Sequence, residues 1–198
     1  IIFKLLQKMN SIISDTYNTI IKHNKLQDWN YPMGIYIILS HIMAIIGFFK
    51  IPYCNRLTLL LAFILWPITG LGITAGVHRL WSHRSYDATF FMKFVLMIFN
   101  TIANQGSIWH WVRDHRVHHK FSETDADPHN AKRGFFFAHM GWLFVKKHPR
   151  VIEAGKKLNF DDLSNDWCVI IQKKLDPWGA LFMCFIFPAI ITTYGTKI

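Results

Sequence analysis

Five histidines stand in two short, dense motifs. His78 and His83 bound the segment HRLWSH, and His115, His118 and His119 form HRVHH. Imidazole is a good ligand for zinc, copper, iron and nickel, and it also exchanges protons near neutral pH. The two motifs therefore predict a metal site to which both contribute.

The spacing within each motif indicates how many ions are bound. Residues three and four apart share a helix face, so His115 lies beside both His118 and His119. Those last two diverge by about 100° and could serve two neighbouring ions. His78 and His83 are five apart, or about 140° around a regular helix, so we expect them to serve different ions. This pattern favours a dinuclear site over a single tetrahedral zinc.

The sequence lacks the usual zinc patterns. There are three cysteines without zinc-finger spacing, and neither motif has Glu after its first histidine, as HExxH requires. An all-imidazole set favours iron and dioxygen chemistry. A nearby carboxylate would accept the free ring N–H, and the candidates are Asp114, Glu123, Asp125 and Asp127. Five other histidines are predicted to be ordinary surface or core residues: His23, His41, His110, His139 and His148. The role of His129 is left open.

The composition points to a membrane. The 198 residues include 22 Lys and Arg against 12 Asp and Glu, which gives a net charge of +10, and 52% are hydrophobic. That much apolar surface excludes a disordered chain, and three cysteines exclude a disulfide scaffold. A basic chain with 17 Phe and 8 Trp favours a membrane protein over a nucleic-acid binder, so no nucleic acid is expected as a partner.

Long uncharged runs predict the membrane spans. Residues 31–49 and 57–77 contain no Lys, Arg, Asp or Glu, and each is long enough to cross a hydrocarbon core about 30 Å thick. The short polar link 50–56 makes them a transmembrane hairpin, and a buried hairpin of a soluble protein is the disfavoured alternative. Residues 177–194 predict a third span. Residues 94–109 are marginal in length and predict a helix in the membrane interface or over a site.

These runs divide the chain into four parts. An N-terminal arm covers 1–30, the transmembrane hairpin 31–77, a histidine-rich region 78–176, and a third span, cut short, 177–198. The arm has 4 Lys and Arg and the histidine-rich region 15, against 2 in the link. The positive-inside rule therefore places the arm and the histidines in the cytosol. The first residue is Ile1 rather than Met, so we expect a partial chain.

These motifs resemble a known family. HRLWSH at 78–83 and RDHRVHHKFSETDADPHNAKRGFFFAHMGW at 113–142 are similar to the membrane acyl-CoA desaturases of the stearoyl-CoA Δ9 type. The resemblance runs from about residue 30 to the third span and is densest between 72 and 149. HxxxxH and HxxHH alone also occur in alkane hydroxylases and sterol oxidases, whereas the long run is far more specific. The segment QGSIWHWVRDHRVHH is most similar to arthropod members.

The resemblance implies an all-α membrane protein, a four-span bundle with a cytosolic histidine-rich diiron cap, in the endoplasmic reticulum. Two iron ions, with His78, His83, His115, His118 and His119 among the ligands, would activate O2. The reaction removes two hydrogens from a saturated fatty acyl-CoA and leaves a cis double bond at Δ9. Electrons would come from NADH through cytochrome b5 reductase and cytochrome b5.

The resemblance also implies contacts with substrate. Arg113 and Asp114 match residues near the thioester and pantetheine. Lys146 and Lys147 match a basic pair that contacts the CoA phosphates, and ammonium groups are also chemically suited to bind phosphate.

Other implied contacts concern the acyl chain. Residues of the second span close the acyl tunnel in the family. Trp66 and Gly70 lie there one turn apart, and we expect a bulky Trp66 to shorten the tunnel and Gly70 to lengthen it. Packing against lipid is the alternative for both. Two family asparagines are replaced, by Met33 and Gly106.

The third histidine box of the family, HNxHH, and the fourth span do not occur in this sequence. We therefore expect that the chain alone neither holds two irons properly nor turns over. Three alternatives stay open: a related membrane diiron fatty acyl hydroxylase, a non-catalytic partner of a full-length desaturase, and a metal transporter. The transporter is disfavoured because the spans carry only His41, and transporters place ionisable residues inside them.

Overall fold

The computed structural model describes residues 3–4, 7–11, 14 and 29–195. Within that part the chain is helical, and its one β-type pairing is an isolated bridge between Trp29 and Val145. The chain forms two compact units, one of Ile1–Gly47 with Val117–Lys157 and the other of Phe48–Arg116 with Leu158–Ile198. His23 and most of the predicted arm 1–30 lie outside the described residues.

Ten α-helices, two π-helices and three short 3-10 turns follow one another in the described range from residue 29 onward. The α-helices are α1 Tyr31–Lys50, α2 Arg56–Leu71, α3 Phe90–Ala103, α4 Ile108–Phe121, α5 Phe135–His139, α6 Pro149–Lys156, α7 Asp161–Ser164, α8 Trp167–Leu175, α9 Trp178–Leu181 and α10 Phe187–Gly195. The π-helices are Gly72–Ser82 and Phe182–Ile186, and the 3-10 turns are Ile51–Tyr53, Ala131–Arg133 and Gly141–Phe144.

Two helices are long and apolar enough to cross a membrane, Tyr31–Tyr53 and Arg56–Ser82. They contain the two uncharged runs, as the sequence predicts. The side chain of Asn55 begins the second helix by accepting a 2.8 Å hydrogen bond from the Leu57 amide. Large apolar side chains along both are exposed, including Phe48 at 68% and Phe63 at 70%. A surface of this kind is suited to lipid, which confirms the all-α membrane class.

The second membrane helix changes its hydrogen bonding partway along. Beyond Leu71 the backbone follows a π-helical pattern over Gly72–Ser82. Here the helix packs against α3 so closely that a Cβ on Gly72 would lie 2.4 Å from the Asn100 amide nitrogen. Only glycine permits this approach. The first half of the π-helix is also tied to the segment that follows the helix, since the Tyr86 hydroxyl donates to the Ala75 carbonyl at 2.7 Å.

One predicted element differs from the structure, and a second, the third span, stays a prediction. The run 94–109 is not one helix, because α3 ends at Ala103 and Asn104 and Gly106 adopt positive φ angles of 52° and 84° before α4 begins. The third span is a helix from Trp178 onward that reaches spanning length only together with α8, and the pair is bent by 80°. Of the predicted range 177–198, the last three residues lie outside the described part.

The core of the second unit fixes the start of α4, the helix that carries HRVHH. The Gln172 side chain accepts from the Ile108 amide at 2.7 Å and donates to the Asn100 side chain at 2.7 Å. All three residues are buried. The apolar residues packed in this core come from the π-helix and from α3, α4, α7 and α8: Val77, Leu80, Trp81, Leu96, Met97, Ile108, Val112, Leu163, Cys168 and Val169.

Candidate metal centre

The π-helix brings the two histidines of the first motif together. Their Nε2 atoms are 3.2 Å apart, and the His83 amide donates to the His78 carbonyl at 3.0 Å. In a π-helix each hydrogen bond spans five residues, so side chains five apart lie almost above one another. The expectation from a regular helix, that His78 and His83 diverge by about 140°, is therefore wrong, and it no longer argues for assigning them to different ions.

His115 completes this group, which we call the three-histidine centre: His78, His83 and His115. The Nε2 atoms of His83 and His115 are 3.1 Å apart, and all the candidate ligand atoms lie within 4.8 Å of one another. Two nitrogens bound at about 2.1 Å to one ion are about 3.0 Å apart at right angles and about 3.4 Å apart in a tetrahedron. The three imidazoles therefore fit the ligand sphere of one borderline metal ion such as iron.

Trp111 supports the centre from one turn earlier on α4. Its ring stacks on His115, with the centroids 4.6 Å apart, and meets His78 edge to face at 6.2 Å. The indole Nε1 donates to the Gln105 side chain at 3.3 Å. Trp111 was not predicted from the sequence. The available signal was its position four residues before His115, because residues four apart on a helix are neighbours.

A second group, the His118 cluster, consists of His118, Asp127 and His129. His118 Nδ1 lies 2.9 Å from Asp127 Oδ1, and the two imidazole rings are 4.1 Å apart between centroids. The Asp127 side chain is completely buried. It also accepts from the backbone amides of Glu123 at 2.9 Å and His129 at 3.1 Å.

Asp127 is thus the carboxylate that takes the supporting position for which the sequence offered four candidates. With Nδ1 of His118 directed at Asp127, the ring presents Nε2 for an ion, as in carboxylate–histidine–metal arrangements. Each of the other three candidates forms an ion pair: Asp114 with Arg113, Glu123 with Lys132 and Asp125 with Arg150. His129, undecided from sequence, joins this cluster.

No family model matches the chain, but curated proteins of one family are similar to it over most of its length. It is 51% identical over 160 residues to a stearoyl-CoA desaturase of Sus scrofa, covering 81% of this chain and 45% of the relative. It is 51% identical over 156 residues to stearoyl-CoA desaturase 5 of Homo sapiens, with coverages of 79% and 47%. An acyl-CoA desaturase 1 of Tachysurus fulvidraco is 53% identical over 151 residues, with coverages of 76% and 45%.

The chain belongs to the membrane acyl-CoA desaturase family. This confirms the resemblance drawn from HRLWSH and the run 113–142. The chain spans about half the length of the curated relatives it matches. The similarity to arthropod members stays a prediction.

The remaining predicted ligand, His119, lies one helical turn after His115 on α4 and is exposed. Its ring centroid is 5.4 Å from that of His118. Because residues four apart share a helix face, His119 follows the face of α4 that carries His115. Its role as a ligand stays a prediction.

Four of the predicted substrate residues, Arg113, Asp114, Lys146 and Lys147, occupy two places. Arg113 donates from Nε to Asp114 Oδ1 at 3.1 Å, so the two form a pair on α4. Lys146 and Lys147 directly follow Val145, the residue bridged to Trp29. Lys146 is exposed and Lys147 half-buried.

The two tunnel candidates lie on the exposed surface of α2. The Trp66 side chain is 77% exposed, and a Cβ built on Gly70 meets nothing within 4 Å among the described residues. Their effect on chain length stays a prediction.

The scattered histidines of the described part have local partners outside the two groups. His41 Nδ1 lies 2.8 Å from the Ile37 carbonyl, and His148 accepts from the Arg150 amide at the start of α6. His110 Nδ1 is 3.1 Å from the Ser107 hydroxyl, and His139 stacks on Phe135. Their role as ordinary surface or core residues stays a prediction.

Proposed function

We propose that this chain forms part of an acyl-CoA desaturase that introduces a cis double bond, at Δ9, into saturated fatty acyl-CoA. The observation that carries the proposal is the convergence of the three-histidine centre, where Nε2 atoms approach to 3.1 and 3.2 Å. The names of the relatives, stearoyl-CoA and acyl-CoA desaturases, support the substrate class. The enzyme would use O2 and electrons delivered from NADH through cytochrome b5 reductase and cytochrome b5.

The proposed cofactor is a pair of iron ions, which when bound would supply the activation of O2. His78, His83 and His115 would hold one ion. His118 and His119 would supply further ligands, with Asp127 fixing the tautomer and direction of the His118 ring. Trp111 would restrict the rotation of His115 by stacking on it.

The proposed substrate contacts divide by chemistry. Lys146 and Lys147 would meet the CoA phosphates as ammonium groups. Arg113 and Asp114 would lie near the thioester and pantetheine, their charges already paired with each other. Trp66 and Gly70 would influence the depth available to the acyl chain.

We place the enzyme in the endoplasmic reticulum as a multi-pass protein with its histidines facing the cytosol. The excess of Lys and Arg in the arm and the histidine-rich region supports this orientation. A basic face of this kind would also steer an acidic electron carrier such as cytochrome b5.

The test is complementation of a desaturase-deficient yeast by the open reading frame that contains this chain. Growth without added unsaturated fatty acids, together with cis-Δ9 products by gas chromatography, is the expected result. His115→Ala should abolish both, whereas His139→Ala should retain them. A hydroxylated acyl product would overturn the proposal in favour of the related hydroxylases, and the same growth from His115→Ala would exclude the three-histidine centre.

A further inference from the structure

The Arg116 side chain holds the end of the π-helix that carries His78 and His83. Its Nη2 donates to the Trp81 carbonyl at 2.6 Å, and its Nε donates to the Ser82 carbonyl at 3.3 Å. The last carbonyls of a helix have no partner within the helix. Arg116 supplies that partner from α4, although its neighbour His115 faces the metal centre. Its side chain is only 13% exposed.

Asp162 fixes the Arg116 guanidinium through two hydrogen bonds, at 2.6 and 3.0 Å. Planar bidentate pairing of this kind sets direction as well as energy. The carboxylate also pairs with Arg84 at 2.7 Å. Asp162 is itself well placed, because it lies on α7, whose first amide, at Asp161, donates to the Asn159 side chain at 2.7 Å.

His83 lies between the two residues that this pair holds. The Ser82 carbonyl before it accepts from Arg116, and the Arg84 side chain after it pairs with Asp162. Arg84 also has a positive φ of 51°, a conformation that a non-glycine residue keeps only when its surroundings fix it. One carboxylate, Asp162, therefore constrains the chain on both sides of the exposed His83, through Arg116 before it and through the Arg84 side chain after it.

A π-helix needs such a constraint. Its i→i+5 pattern is rare and is found mostly as short segments at functional sites. If the end relaxed toward ordinary α-helical bonding, His78 and His83 would diverge again, because five residues cover about 140° in an α-helix. Carbonyls held from outside the helix oppose that change.

We propose that Arg116 and Asp162 are positioning residues for His83, holding the π-helix in the register that directs its Nε2 toward His78 and His115. This inference rests on the metal centre of the proposed function. A merely structural pair would stabilise the fold without acting through His83, and this difference decides the test.

The test is a double-mutant cycle on Co2+ binding by the protein encoded by the full open reading frame that contains this chain, purified in detergent and read from the ligand-field absorption of the bound ion. Asp162→Asn should weaken Co2+ binding roughly 10- to 100-fold, the usual effect of losing an outer-shell partner. In the His83→Ala background the same change should have almost no further effect on Co2+ binding, because the imidazole through which Asp162 acts is already absent. Arg116→Lys, which keeps the charge but not the fork of donors, is the second variant and should behave as Asp162→Asn does.

The matched control is Asp125→Asn, which removes the exposed partner of Arg150 and should leave Co2+ binding unchanged. A loss on Asp162→Asn that is equal in both backgrounds would overturn the inference, since it would show an effect independent of His83. A folded Asp162→Asn chain that binds Co2+ as the parent does would overturn it as well.

A metal-free measurement separates this inference from the proposed function. The amides of His83 and Ser85 donate to the His78 and Arg79 carbonyls at 3.0 Å each, and hydrogen exchange reports on both. Asp162→Asn should accelerate their exchange and Asp125→Asn should not. A parent protein from the full open reading frame that binds no Co2+ counts against the metal centre. Unchanged exchange in Asp162→Asn counts against the inference itself.

Discussion

In the three-histidine centre each imidazole faces another imidazole, whereas in the His118 cluster the ring faces a buried carboxylate. The first group depends on backbone geometry, because only the π-helix brings His78 and His83 within 3.2 Å. The second depends on one side chain, Asp127, which receives three donors in a fully buried place. A perturbation of helix register should therefore act on the first group, and a change of one acceptor on the second.

The largest effect is expected from His115→Ala. It removes the imidazole that lies 3.1 Å from His83 and the ring on which Trp111 stacks. Since losing an outer-shell partner already weakens metal binding about 10- to 100-fold, losing a ligand should exceed about 100-fold. Titration calorimetry with Fe2+ under anaerobic conditions measures this. His139→Ala is the control, and equal affinities in the two variants would contradict the centre.

Asp127→Asn should act on the other group. An amide can meet the His118 ring but cannot accept from all three donors as the carboxylate does, so the tautomer of His118 is no longer fixed. We expect metal retention at His118 to fall roughly 10-fold or more, and stability to fall by about 1–3 kcal/mol because buried donors lose an acceptor. Nitrogen-15 NMR of the histidine rings distinguishes an effect on His118 from an effect on the three-histidine centre. A shift at His78 and His83 but none at His118 would refute the assignment.

Much of this arrangement was predictable from sequence, and the missing parts have definite causes. Uncharged runs near twenty residues leave few alternatives to a membrane helix, so 31–49 and 57–77 were predicted as helical. The break in 94–109 had a signal, the NQG segment at 104–106, because Asn and Gly favour left-handed backbone. The apolar run outweighed that signal.

The register of the first motif could not be derived from helical periodicity, because tertiary contacts impose it. Gly72 lets α3 approach, and Arg116 reaches the last carbonyls from a segment that comes thirty-four residues later than Ser82. The choice of Asp127 among four acidic residues depended on burial, which no local pattern reveals. The spacing of five between His78 and His83 was the one available hint, since it matches the i→i+5 hydrogen-bond spacing of a π-helix.

Gly72→Ala tests that register through packing alone. A Cβ at this position would meet backbone at 2.4 Å, so α3 or the π-helix must shift. Overpacking of this kind costs about 1–3 kcal/mol, and we expect the unfolding midpoint in detergent to fall accordingly. Gly70→Ala is the matched control, because its Cβ meets nothing within 4 Å. The His118 ring signals should stay unchanged. Equal stability of the two variants would show that the close approach does not constrain the register.

The smallest effect is expected from lowering the pH, which should reduce the stability that Asp162 contributes. Burial raises the pKa of Asp162, but the hydrogen bond and charge of Arg116, and then Arg84, outweigh it and hold the pKa below its usual 3.8. The folded state therefore favours the carboxylate, and the unfolded chain takes up the proton first as pH falls. The stabilising contribution is complete above about pH 4 to 5 and is lost as pH falls through the folded pKa.

Guanidinium unfolding of the parent and of Asp162→Asn between pH 6 and pH 3 measures this contribution. The difference in unfolding free energy between them should narrow steadily toward pH 3, because protonation removes from the parent what the substitution has already removed. Arg116 keeps its hydrogen bonds to the Trp81 and Ser82 carbonyls at either pH, so the π-helix should loosen rather than unfold. A difference independent of pH would mean that Asp162 stabilises the chain through its shape and not through its charge, leaving the three-histidine centre equally well supported at both ends of the range.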